Sequence, residues 1–144
     1  MAVQSEFTRA EVTVTLAVSE QVTVMVDPVH LWRLVWDPAT SPLVLDDVVS
    51  GFTLPGSPVR QVGEMQLHVV SGKDGTLVPM IDEIVELGPG YRAVTRSRST
   101  ALPRSSTTLV LPLDQGGCVL RLVTELTIPV EASNAAWEEC RAYS

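Results

Sequence analysis

The chain has 144 residues, 45% of them hydrophobic and 19% charged, with a formal net charge of −7. One folded domain is the expectation at this length and composition. The acidic balance argues against a nucleic-acid partner or an anionic membrane surface, both of which need clustered Lys and Arg. No apolar run approaches the roughly 20 residues that cross a bilayer. Residues 1–10 lack the apolar core of a signal peptide, so a cytosolic location is expected. Cys118 and Cys140 lie in apolar settings and read as reduced, structural thiols. With two His and no Cys/His cluster, no metal site or cofactor is expected.

In chain order, Glu11–Leu16 and Gln21–Val26 alternate polar and apolar, the period-2 signal of a half-buried strand. They are two strands, or one long strand interrupted near Ser19-Glu20. Asp27-Pro28 then supplies an N-cap and a proline at the first helical position. The helix runs to about Trp36, with Leu31, Trp32, Val35 and Trp36 on a broad apolar face. Asp37-Pro38 ends it, and a short second helix to about Leu45 is expected.

Strands are predicted at Val48–Leu54, Val62–Val70, Thr76–Leu87, Arg92–Ser97, Thr107–Leu113 and Cys118–Ile128. Gly- and Pro-bearing turns separate them. Such short connections imply an antiparallel meander. After Pro129, Glu131–Ala142 is rich in helix formers and places Trp137 and Cys140 on one side. The order is strand, helix pair, long meander, final helix, in one domain spanning 1–144.

Several motifs occur together in that order. Pro28-Val29-His30-Leu31-Trp32-Arg33-Leu34-Val35-Trp36-Asp37-Pro38 is followed by Val62-Gly63. Glu86-Leu87-Gly88-Pro89-Gly90-Tyr91-Arg92 and Gly116-Gly117-Cys118-Val119-Leu120 come next. From about Ala17 onward this pattern resembles the START/polyketide-cyclase superfamily (SRPBCC, the helix-grip fold), with Cys118 where a Thr is usual. The resemblance implies an α+β fold: a curved antiparallel sheet of about seven strands wrapped around the C-terminal helix, with two short helices after the first strand. It also implies a cavity for a lipid, hormone or polyketide-like molecule. Some members, including those of bacterial natural-product biosynthesis, cyclise or dehydrate such substrates without a cofactor. The final helix looks shorter than the family's, which leaves the cavity mouth open or covered by a partner subunit in a homodimer.

Strand alternation nominates the residues that would see the cavity. In the last strand the apolar set Leu120, Leu122, Thr124, Leu126 should face inward. The family register puts Tyr91, Ala93, Thr95 and Ser97 inward and leaves Arg92, Arg96 and Arg98 in solvent. A one-residue slip would exchange the two sets. In Thr76–Leu87 two readings stand: Met80, Asp82 and Ile84 inward, or Ile81, Glu83, Val85 and Leu87. Either places one carboxylate inside, where desolvation raises its pKa and suits it to acid–base chemistry. Asp82 and Glu83 are therefore the catalytic candidates. Met65 and Leu67 are expected inward, and His68 toward solvent. Trp36 and Trp137 are candidate pocket walls.

Three functions fit: a carrier for a hydrophobic small molecule, a polyketide cyclase or dehydratase, and a protein-interaction module. Convergence of an acid and an arginine inside the shell is what separates the second from the others.

Overall fold

The computed structural model describes residues 13–100 and 103–129. Seven strands form one antiparallel sheet: β1 (Thr13–Val24), β2 (Val48–Thr53), β3 (Met65–Ser71), β4 (Leu77–Gly88), β5 (Arg92–Ser97), β6 (Arg104–Pro112) and β7 (Cys118–Pro129). Their spatial order is β1-β7-β6-β5-β4-β3-β2. From β2 to β7 each strand pairs with the next through a hairpin, and β1 closes against β7 over its full length. The N-terminal alternation is one continuous strand, Thr13–Val24, without the interruption near Ser19-Glu20.

Helix α1 (Pro28–Trp36) follows β1. Asp27 caps it, its Oδ1 accepting from the Val29 amide at 2.9 Å and the His30 amide at 3.4 Å. Each bond satisfies a donor that the first turn leaves without a helical partner. The expected second helix is a single 3-10 turn, Ser41–Leu43. The helix predicted over Glu131–Ala142, with Trp137 and Cys140, lies outside the described residues. Among the described residues no helix is long and apolar enough to cross a membrane.

The core lies between α1 and one face of the sheet, here termed the inner face. Leu31 and Trp32 pack there with Ala93, Val110, Cys118 and Leu120. Trp32 stacks on Trp36, with ring centroids 5.3 Å apart and planes 15° from parallel. Buried Cys118 donates its Sγ–H to the Val26 carbonyl at 3.4 Å. Burial, with nearby Asp27, pushes this thiol upward, as befits an unreactive core cysteine. Gly117 allows the β6–β7 turn to close on β1: a Cβ there would lie 2.7 Å from the Val24 carbonyl oxygen.

Pairing carries the inner face across the sheet. Val110 pairs with Leu120, Thr108 with Leu122 and Ala93, and Leu87 with Ala93. The register of β4 against β5 shifts between Ile84 and Glu86. This bulge lets both Leu87 and Ile84 face inward although their spacing is odd. Asp82 and Met80 then follow Ile84 on the inner face. Gln66 pairs with Asp82 and His68 with Met80, so the inner row of β3 is Gln66 and His68.

Candidate functional site

Along the strands the inner face changes character. The end under α1 is apolar, with Trp36, Val35, Val44 and Leu87 packed against the core. Beyond it Thr95, Ser106 and Thr124 stand in register on three adjacent strands. Ser106 Oγ and Thr124 Oγ1 are 3.5 Å apart, and Thr95 Oγ1 donates to the Ser106 carbonyl at 3.4 Å. Farther still lie Asp82, His68, Met80 and Arg104. The Arg104 guanidinium reaches across the line of β5 to β4, its Nη1 lying 3.9 Å from Met80 Sδ.

Asp82 and His68 are diagonal neighbours on one face of the β3–β4 pair, a spacing of about 7–8 Å between backbones. Burial pushes the Asp82 carboxyl above its ordinary range; the charges of His68 and Arg104 oppose this. Burial likewise holds the His68 imidazole below its ordinary value, against the pull of Asp82 and Glu64. Desolvation therefore outweighs the mutual attraction of the pair, and both side chains are biased toward their neutral forms.

His68 is wedged in place. A Cβ built on Gly51 of β2 would lie 2.8 Å from His68 Cδ2 and 2.5 Å from the Pro38 carbonyl oxygen. Only a glycine lets the imidazole and the turn after α1 meet over β2.

Behind His68 the row continues into a buried polar network. Glu64 has no exposed surface. Its Oε1 accepts from the Arg60 amide at 2.7 Å, and its Oε2 from Arg60 Nη1 at 2.7 Å, Thr53 Oγ1 at 2.6 Å and Gln66 Nε2 at 3.2 Å. Arg60 adopts a left-handed backbone (φ 57°) and also pairs through Nη2 with Asp37 Oδ1 at 2.7 Å. The β2–β3 connection is thereby tied to the end of α1.

The sequence-nominated residues divide between the two faces. Asp82, Met80, Thr95, Leu122 and Thr124 lie on the inner face. Trp36 sits at its α1 end, against the core. Glu83 faces outward opposite Arg96 and is paired with Arg98. Arg92 is likewise engaged by exposed Glu86 at 2.8 Å. Met65 and Leu67 were expected inward but lie on the outer face, opposite Glu83 and Ile81. His68, expected in solvent, lies inward. The physical reason is that the inner row of β3 is polar, with Gln66 held there by the Trp36 carbonyl and buried Glu64, which inverts the usual meaning of its alternation. Arg104 was not nominated because the predicted strand starts at Thr107. An open cleft of about 230 Å³ lies mainly on the outer face, between Thr15, Arg96, Ser105, Glu125 and Thr127, and Arg104 borders it as well.

No protein-family model and no curated protein matches the sequence. Solved structures do match. The di-domain ARO/CYC BexL from the BE-7585A biosynthetic pathway aligns with a TM-score of 0.65 at 16% identity, over 82% of this chain and 38% of that one. Norcoclaurine synthase from Thalictrum flavum, in complex with dopamine and hydroxybenzaldehyde, gives 0.62 at 13% identity, over 83% and 73%. DR_A0006 from Deinococcus radiodurans gives 0.56 at 20% identity, over 79% and 83%. The chain carries the fold of the START/polyketide-cyclase superfamily. In SRPBCC terms the described residues supply the seven-stranded sheet and the helical insertion after its first strand. The inner face of this sheet is the one that carries Asp82, His68 and Arg104.

Proposed function

We propose that the chain binds a small, largely apolar, polyketide-like molecule against the inner face of its sheet and cyclises or dehydrates it without a cofactor. In this reading residues 1–144 are one domain, and the helix expected over 131–142 covers the inner face. The observation that carries the proposal is the meeting of Asp82, His68 and Arg104 beyond an apolar floor and a row of hydroxyls. Burial makes Asp82 a stronger base once ionised. Its carboxylate would take the proton from a carbon between two carbonyls. The enolate so formed attacks a second carbonyl of the same molecule, and the Asp82 carboxyl returns the proton to the new alkoxide. Loss of water from that product is the dehydration. The Arg104 guanidinium stabilises the developing oxyanion, and the floor folds the chain so that its reacting carbons meet. Ligands named for the similar structures, and the biosynthetic setting of BexL, are consistent with a pocket of this chemistry.

Carriage without turnover is the second reading, favoured by the apolar α1 end, which needs nothing beyond burial to hold a ligand. Native mass spectrometry with naphthols and a poly-β-ketone surrogate tests both. Retention by the wild-type chain is expected, with turnover lost and binding kept in Asp82→Asn. Retention with no turnover in either chain leaves carriage; no retention at all refutes both.

A further inference from the structure

Gln66 is buried, at 6% exposure, on the inner face beside Asp82. Its Nε2 donates to the Trp36 carbonyl at 3.4 Å and to Glu64 Oε2 at 3.2 Å. A backbone carbonyl can only accept, and Glu64 Oε2 already accepts from Thr53 and Arg60. The amide is thus fixed against a flip: its NH₂ must face these two oxygens, and its carbonyl must face away from them. Oε1 takes no hydrogen bond from any described residue. Yet among the described residues no fully buried side-chain oxygen or nitrogen lacks a partner. The small part of Gln66 left exposed therefore includes Oε1.

Resting on the proposed ligand site, we infer that Gln66 Oε1 is its specificity-determining acceptor, selecting molecules that present a hydroxyl or other neutral donor beside Asp82. An apolar ligand lying there would cover the carbonyl without satisfying it, which weakens binding by about tenfold or more. A hydroxylated ring satisfies it. The same logic ranks ligands against their hydrophobicity, because a site built around a hydrogen bond rejects the analogue that lacks the donor.

The probes are 2-naphthol and 2-methylnaphthalene, near-isosteric molecules of which only the first donates. Fluorescence titration of the full chain is expected to give at least about tenfold tighter binding of 2-naphthol, although 2-methylnaphthalene is the more apolar. Gln66→Met should reverse the order. If that variant does not fold, Gln66→Asn, which withdraws the carbonyl by one methylene, is read the same way. Preference for 2-methylnaphthalene in the wild-type chain, or a 2-naphthol preference that survives the substitution, overturns the inference while leaving the ligand site standing. Failure of both naphthalenes to bind the wild-type chain removes the ligand site itself, and the inference with it.

Discussion

Replacing Glu64 by Ala should be among the most damaging single changes in the described residues. The carboxylate is wholly buried and accepts four hydrogen bonds, from Thr53, Gln66 and two groups of Arg60. Truncation strands the Arg60 amide and part of the Gln66 amide, leaves the Thr53 hydroxyl with the Arg60 Nη1 contact at 3.3 Å, and opens a cavity. Breaking one side of a buried ion pair costs about 3–5 kcal/mol. Arg60 keeps Asp37 at 2.7 Å, and its side chain retains 32% exposure, so water relieves part of the loss. The lower end, about 3 kcal/mol, is the expected figure. For a chain of this size that is a fall in Tm of roughly 6–12 °C. Urea unfolding followed by circular dichroism would measure it, with an unchanged slope indicating an intact compact state. A joint Arg60→Met/Glu64→Met replacement should cost less than Glu64→Ala alone, because it removes both charges together. A loss below about 1 kcal/mol in Glu64→Ala, at equal slope, would refute the reasoning.

Other consequences follow from the same face. Because burial raises the Asp82 pKa, its stabilising neutral form is fully present below the ordinary value of 3.8 and is lost as pH rises through the raised value. Asp82→Asn should therefore gain stability relative to wild type as pH climbs above about 4, and a difference that stays flat in urea melts from pH 4 to 8 would contradict this. For His68 the sign is opposite: its contribution is present above 6.5 and disappears as pH falls through the lowered value. An NMR titration should find its midpoint below 6.5, and a midpoint at or above that refutes the burial argument. Gly51→Ala would bring a Cβ to 2.5 Å from the Pro38 oxygen and 2.8 Å from His68. Such overpacking costs about 1–3 kcal/mol in urea melts and should move the His68 titration as well; a neutral substitution would show that the contact is slack. Glu83→Gln breaks a partly exposed pair with Arg98 and should cost less than about 1 kcal/mol, a larger loss implying burial that the outer face does not provide.

The elements were legible because the signals were local. Period-2 alternation, Asp27-Pro28 and the Gly-bearing turns place α1 and most strands within three residues of their observed bounds. The start of β6 was not legible: the predicted strand starts at Thr107, yet Arg104, Ser105 and Ser106 all pair with β7. The face of β4 could not be chosen from sequence, because the shift between Ile84 and Glu86 breaks the period on which the choice depends. That one irregularity puts Asp82 inside and Glu83 outside.

The inversion of β3 has a functional edge. A sheet serving only to hide apolar surface would turn Met65, Leu67 and Val69 inward and leave Gln66 and His68 to water. This chain does the reverse, and a buried polar group is unfavourable unless it is hydrogen-bonded. The Glu64 end of the row meets that demand from within, through Arg60, Thr53 and the Gln66 amide nitrogen. The Asp82 end does not: its carboxyl group and the His68 ring are desolvated, and among the described residues neither is held in an ion pair and the Gln66 carbonyl takes no bond. Structural economy accounts for the first half of the row. The second half is what a bound molecule with its own donors and acceptors would complete.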